Sequence, residues 1–399
     1  MAIEIRAVHE DEHETMVLNQ LRGFSATQPP APIMARLRTG LELDRFLVGV
    51  DDGELVSNAG AFSFQLTLPG GATVPAAGVT WVAVLPTHRR QGLMRGMLDR
   101  LAADARDRGE VAAILYAAEA GIYENVGYGA ATRLCETTIN PRRVVFRSDA
   151  PSGGTVRFMD PDQAGEVLPA IQDRARKRRA GEVDRHDRFW SSRLTEHIAP
   201  PSEKAAPFTL LHLDDGGTAD GYATYTSEER WAVDASHLVT VSDFAAGTDI
   251  AHAELWRTLC SLDLVGEIRT EVIAPDDPLL WMLRDERAVH ITSVSDGLWL
   301  KVLDVEGLFG ARSYAADDTL VIDAGELGRW SIGAAGCKET DNDADVSMSP
   351  VELGAISLGG SPVTALVRSG RIIERSPRAG VRLDALLASD PLPYPTTHF

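Results

Sequence analysis

At 399 residues the chain is long enough for about two to four domains. Hydrophobic residues at 44% and charged residues at 24% are globular proportions, which exclude a disordered or fibrous chain. Thirty-nine Lys and Arg against fifty-eight Asp and Glu leave a formal charge of −19, which disfavours a nucleic-acid partner and favours a cationic one.

The first elements read strand then helix. Ile3, Ile5 and Ala7 alternate, and Glu10, Asp11 and Glu12 suit a helix N-terminus. Phe46 to Val50 and Leu55 to Leu68 are predicted strands joined by the hairpin turn Asp51-Asp52-Gly53. Gly78 to Val84 is a third strand. Arg90 to Arg108 is a helix whose Leu93, Met94, Met97, Leu98, Leu101, Ala102 and Ala105 share one face. Val111 to Tyr116 is a buried strand, and a short segment from Gly121 to Val126 precedes Gly127-Tyr128-Gly129. Tyr128 is read as core.

Pro151-Ser152-Gly153-Gly154 marks a linker. A second α/β block follows, with a helix from Asp162 to Arg179, strands at Phe208–Leu213, Tyr222–Tyr225 and His237–Val241, and a helix from Asp249 to Leu262. Its order echoes the first block. A third block, from residue 288, has strands at Gly297–Val305, Thr319–Asp323 and Arg329–Gly333 and short helices at Pro350–Ser357 and Leu383–Ser389. The predicted domains are therefore 1–150, 151–287 and 288–399, with net charges of −3, −10 and −6.

Cys135, Cys260 and Cys337 are too few and too scattered for a disulfide framework or a zinc site, and point to a reducing cytoplasm. The ten His residues show no ligand spacing, so no metal is expected. The opening MAIEIRAVHEDEHE is not a signal peptide, and no apolar run is long enough for a membrane span. The basic run Arg174 to Arg179 falls at a predicted helix end, where cations complement the macrodipole.

The stretch that carries chemistry is Val79 to Leu101, read as strand, tight loop and helix. Thr87-His88-Arg89-Arg90-Gln91-Gly92 would direct backbone N–H groups outward, and the following helix adds its positive end. Arg89, Arg90 and Arg95 add charge, and Gly92 allows a close approach by a ligand. Such a site suits a pyrophosphate. Neither a dinucleotide-binding nor a P-loop motif is present.

Here the sequence resembles the GNAT acetyltransferases, whose pyrophosphate loop reads [QR]-x-x-G-x-[GA]. Arg89-Arg90-Gln91-Gly92-Leu93-Met94 stands in its place, with Met94 departing from the small final residue. PTHRRQGLMRGML, YAAEAGIYENVGYGAAT, DPLLWMLRD, SDGLWLKVLDV and an aromatic last residue together resemble the enhanced intracellular survival (Eis) family of aminoglycoside N-acetyltransferases, over essentially the whole chain. The resemblance implies an α/β (α+β) fold class: a catalytic GNAT domain, a second GNAT-like domain and a C-terminal domain like sterol carrier proteins. It implies acetyl-CoA as co-substrate, a small cationic amine as acceptor and a homohexamer.

Carried over, Val82, Ala83 and Val84 would offer backbone groups to the pantetheine and thioester. Arg89 to Arg95, including Gln91, Gly92, Leu93 and Met94, would hold the pyrophosphate, and Ala118 and Glu119 would line the acetyl arm. Tyr123 would act as general acid and the Phe399 carboxylate as general base. Trp81 is either core or a wall of the amine pocket, and His398 sits beside the proposed catalytic terminus. His398 and Ala26 stand where an acid would help bind a polyamine. The loop at Val241–Gly247 carries acid and no Arg, so the second block is expected to bind no CoA. Two alternatives remain at this point: transfer to a protein or peptide lysine, and an apolar-ligand carrier with a vestigial GNAT site.

Overall fold

The structure, a computed structural model, describes residues 3–27, 41–187, 189–191, 206–231 and 236–399. Contacts divide the chain into two compact units. The first comprises residues 1–132, 296–389 and 398–399, and the second residues 133–295 and 390–397.

In the first unit, strands β1 (Glu4–Ala7), β2 (Phe46–Asp51), β3 (Glu54–Thr67), β4 (Thr73–Val84), β5 (Ala112–Tyr116) and β6 (Gly129–Ala130) form a sheet with a strand from far along the chain. In the second, β7 (Arg133–Ile139), β8 (Thr155–Phe158), β9 (Phe208–Leu213), β10 (Ala219–Glu228), β11 (His237–Ala246), β12 (Val265–Thr270) and β13 (Val289–Asp296) form another. The late strand of the first sheet is β14 (Leu298–Val302). The two orders, β1-β2-β3-β4-β5-β14-β6 and β8-β9-β10-β11-β12-β7-β13, are the same architecture twice. In both, the fourth and fifth strands are parallel.

The sixth strand of each sheet departs from the predicted boundaries. β14, expected in the third block, lies between β5 and β6 of the first sheet, and β7, expected in the first block, lies in the second. The divisions at 150/151 and 287/288 are therefore corrected. Hydrogen bonding explains the difference. β14 pairs with β5 from Leu298↔Tyr116 to Val302↔Ala112 and with β6 at Trp299↔Ala130, filling edges that would otherwise be left open.

Residues 319–374 supply the five-stranded sheet β17 (Gly336–Glu339), β16 (Arg329–Gly333), β15 (Thr319–Asp323), β18 (Val346–Ser347) and β19 (Ile373–Glu374). The helices Pro350–Ile356, Val363–Arg368 and Ala379–Leu387 accompany it. This layer belongs to the first unit.

The helix Leu93–Asp107 buries Leu93 at its start and packs Met97, Leu98, Leu101, Ala102 and Ala105 into the core built on β3, β4 and β5. It begins three residues later than predicted because Arg90 (φ 64°) and Gly92 (φ 81°) are left-handed and cannot continue a right-handed helix. Tyr128 is 1% exposed, core as predicted.

Candidate active site

The ladder between β4 and β5 is short. It runs from Ala76↔Ala112 to Gly78↔Ile114, then stops, although β4 continues to Val84 and β5 to Tyr116. The strands part there and, among the described residues, leave the edge of β4 from Val79 onward without a sheet partner on that side. Val82, Ala83 and Val84 lie along this edge.

A bulge shapes the same stretch. Asn58 faces Ala83 and Gly60 faces Thr80, so Ala59 of β3 opposes both Trp81 and Val82 of β4. Trp81 takes a left-handed φ of 53°, a conformation that costs a bulky residue on the order of 1–3 kcal/mol. Fully buried Asn58 holds it: its Nδ2 donates to the Trp81 carbonyl at 2.6 Å and to Gln20 Oε1 at 3.0 Å. Trp81 is partly buried and meets Phe46 edge-on at 6.1 Å. It is a bulge residue packed on the core.

Beyond β4 the loop is fixed at its base. Leu85 N donates to Val56 O at 2.9 Å, and His88 Nε2 lies 3.2 Å from Asp51 Oδ2. Arg89, Arg90, Gln91, Gly92 and Arg95 are exposed. Gly92 is the N-cap of the helix Leu93–Asp107, and among the described residues no side chain caps that end. A Cβ at Gly92 would meet nothing within 4 Å among the described residues, and its φ by itself calls for glycine. The result is a helix-dipole end beside three exposed guanidinium side chains, which suits a pyrophosphate. The Leu93 side chain is buried and Met94 packs partly buried against the core cluster, so what these two residues offer the loop is backbone.

Ala118 and Glu119 are exposed at the end of β5, and Glu119 leads into the short helix Ala120–Glu124. Tyr123, on that helix, is 8% exposed and packs edge-on to Tyr128 at 6.1 Å. Burial first, and the Glu119 charge second, hold its phenol above the ordinary value. The phenol therefore keeps its proton through the neutral range.

Phe399 is seated where the strands part. Its ring lies 4.8 Å from that of Phe64 and 5.5 Å from that of Tyr116. Gly78 makes room: a Cβ there would lie 2.4 Å from the Phe64 ring and 3.0 Å from Phe399 Cε2. His398 is exposed and stacks on Tyr116 at 4.5 Å. Asn58, Gly78, Phe64 and Tyr116 were not among the predicted site residues. A polar Asn inside the apolar run Leu55–Leu68 was the one signal that could have found any of them.

The second unit repeats the parting strands but fills the space differently. The β11–β12 ladder stops at Val241↔Thr270 while β11 runs on to Ala246. Asp243 there receives Arg185 Nη1 at 2.7 Å and Nη2 at 3.0 Å, with both side chains buried. Residues 390–397 of the same unit pack nearby. Arg185 Nε donates to Thr397 Oγ1 at 2.9 Å, and Thr397 Oγ1 donates to Glu182 Oε2 at 2.9 Å. A cavity of about 380 Å³ remains in this unit, lined by Arg176, Arg179, Glu182, Phe244, His252 and Tyr394 among others. The basic run is paired within the unit, Arg178 with Asp249 at 2.6 Å and Arg179 with Asp276 at 2.8 Å. Its structural reading stands.

Residues 4–131 and residues 181–302 each match the acetyltransferase (GNAT) domain family. The chain is 35% identical over 406 residues to N-acetyltransferase Eis of Mycobacterium tuberculosis (strain CDC 1551 / Oshkosh), with 98% of each chain covered. An uncharacterized N-acetyltransferase of Streptomyces avermitilis is 34% identical over 364 residues, covering 88% of this chain and 87% of its own. The crystal structure of Eis1 from Mycobacterium abscessus superposes with a TM-score of 0.89 at 32% identity over 100% of both chains.

Proposed function

Since the chain belongs to the Eis family of GNAT N-acetyltransferases, we propose that it moves the acetyl group of acetyl-CoA onto an amine of a small polycationic molecule such as an aminoglycoside. The observation that carries this reading is the parting of β4 and β5, with the Arg loop following β4 and Phe399 seated at Gly78.

Acetyl-CoA supplies an activated acyl carbon. The loop N–H groups and Arg89, Arg90 and Arg95 bind its pyrophosphate. The free edge of β4 at Val82 to Val84 holds its arm and offers N–H donors to the carbonyl oxygen as negative charge develops there. The amine attacks the thioester carbon, the C–N bond forms and the C–S bond breaks. Tyr123 gives its proton to the departing sulfur, and the carboxylate of Phe399 takes the proton that the amine nitrogen sheds. Both groups then exchange protons with water. In the second unit the Asp243–Arg185 pair lies along the corresponding strand, which supports the reading that CoA binds the first unit alone.

Replacing Tyr123 by Phe is expected to lower kcat by roughly 10²-fold or more, the range of a lost general acid, with acetyl-CoA affinity by calorimetry unchanged. With its phenol held above the ordinary ~10, any alkaline loss of activity that belongs to Tyr123 lies above that pH and is absent from Tyr123→Phe. One glycine appended after Phe399 displaces the carboxylate and is expected to act on kcat in the same direction. Wild-type turnover in both variants would sink the mechanism. Acetyl-CoA consumption across aminoglycosides, polyamines and basic peptides tests the substrate class.

A further inference from the structure

A helix of five residues has no stability of its own, because nucleation is not repaid within one turn. Tyr123 sits on such a helix, so its position is set by what holds Ala120–Glu124 from outside: the core cluster that takes Tyr123 and Ile122, and charged contacts at its C-terminal end. Two cations from the C-terminal part of the first unit make those contacts. Arg371, in the loop between the helix Val363–Arg368 and β19, reaches Glu124 Oε1 at 3.0 Å with Nη2. Glu124 is the residue next to Tyr123. Lys301 of β14 donates from Nζ to the Val126 carbonyl at 2.8 Å, just past the helix, and lies 5.9 Å from the Tyr128 ring centroid.

Arg371 is itself held. Its Nε donates to Glu352 Oε1 at 2.8 Å, and its Nη2 lies 2.7 Å from the same oxygen. The other oxygen of Glu352 closes a capping box, accepting from Ser349 N at 3.2 Å and Ser349 Oγ at 2.5 Å. The Glu352 side chain is 7% exposed, so this end of the chain of bonds is sheltered from water, whereas the Glu124 end is 43% exposed. The helix Pro350–Ile356, which carries Glu352, meets β6 so closely that a Cβ at Gly129 would lie 1.9 Å from the Val351 carbonyl oxygen. The C-terminal layer thus presents a guanidinium, 40% exposed and anchored on Glu352, to a helix too short to hold its own shape.

We propose that Arg371, seated by Glu352, and Lys301 are positioning residues for acetyl transfer: they hold the helix Ala120–Glu124 so that the Tyr123 hydroxyl meets the departing sulfur. This gives the C-terminal layer a part in the reaction. The inference rests on Tyr123 as the proton donor, and the experiment separates the two ideas.

Arg371→Ala, Arg371→Lys and Glu124→Gln are made in the wild-type chain and again in Tyr123→Phe. An ångström-scale displacement of a reacting group can cost up to about 10²-fold, and partial release of a helix should cost roughly tenfold in kcat. We expect Arg371→Ala to show this loss with KM for acetyl-CoA unchanged. Arg371→Lys should recover part of it, and Glu124→Gln should fall between Lys and Ala. In the Tyr123→Phe background none of the three should lower kcat further. An equal loss in both backgrounds, or no loss in a folded Arg371→Ala, overturns the inference while leaving Tyr123 in its role. Full activity of Tyr123→Phe overturns the role itself, and the inference with it. Should Arg371→Ala fail to fold, Glu124→Gln decides alone, since it leaves the Arg371–Glu352 pair in place.

Discussion

Single backbone conformations shape the candidate site. Gly92 at φ 81° ends the loop and opens the helix Leu93–Asp107 with uncapped N–H groups. Any side chain there is strained, and its Cβ would stand in the open space before those donors. Gly92→Ala is expected to lower stability by about 1 kcal/mol and to raise KM for acetyl-CoA more than it lowers kcat. Thermal unfolding and steady-state kinetics check the two parts. Trp81 shows the opposite bargain: a bulky residue kept left-handed at φ 53° because Asn58, buried and bonded to its carbonyl, will not release it. The Arg loop and Gly92 were legible in the sequence because they are local: a glycine and three arginines within seven residues. The bulge was not, because it exists only in the register of β3 against β4.

The elements that matter most are those where a regular ladder ends. β4 and β5 part after Gly78↔Ile114, and β11 and β12 after Val241↔Thr270. In the second unit the segment 390–397 is tied down by hydrogen bonds. Cys135 N donates to the Tyr394 hydroxyl at 3.0 Å, and that hydroxyl donates to the Glu271 carbonyl at 2.6 Å. Leu392 N donates to Asp276 Oδ2 at 2.7 Å, and Thr396 Oγ1 to Glu182 Oε1 at 2.6 Å. Tyr394→Phe leaves the buried Cys135 N–H and the Glu271 carbonyl without this partner, a loss of about 1–3 kcal/mol. The expected result is a lower melting temperature and faster trimming of the C-terminal residues by carboxypeptidase. Wild-type resistance would show that the other bonds hold the segment by themselves.

Across the whole molecule, the strand exchange ties distant stretches of chain into each sheet. A fragment of residues 3–132 lacks β14, whose Leu298, Trp299, Leu300 and Val302 are all buried. Such a fragment is expected to lack near-ultraviolet circular dichroism and to aggregate through the exposed edges of β5 and β6, whereas joining it to residues 296–389 should restore a fixed core. Charge also changes its meaning at this scale. By predicted domain the first 150 residues were nearly neutral; by contact, the first unit holds thirty acids against twenty bases and the second twenty-eight against nineteen. The unit with the Arg loop is therefore acidic overall, and its guanidinium cluster is a local exception that favours an anionic cofactor within a field favouring a cationic acceptor. The sequence alone determined the tandem GNAT pattern, the Arg loop and the family, because these rest on periodicity and on motifs that are contiguous along the chain. The tertiary structure decided that β7 and β14 change sheets, that Trp81 bulges against Asn58, that Phe399 rests on Gly78, and that Arg371 grips the helix of Tyr123. Each of those joins residues remote in sequence, and strand pairing, close packing and ion pairing act through space without leaving a spacing rule to read.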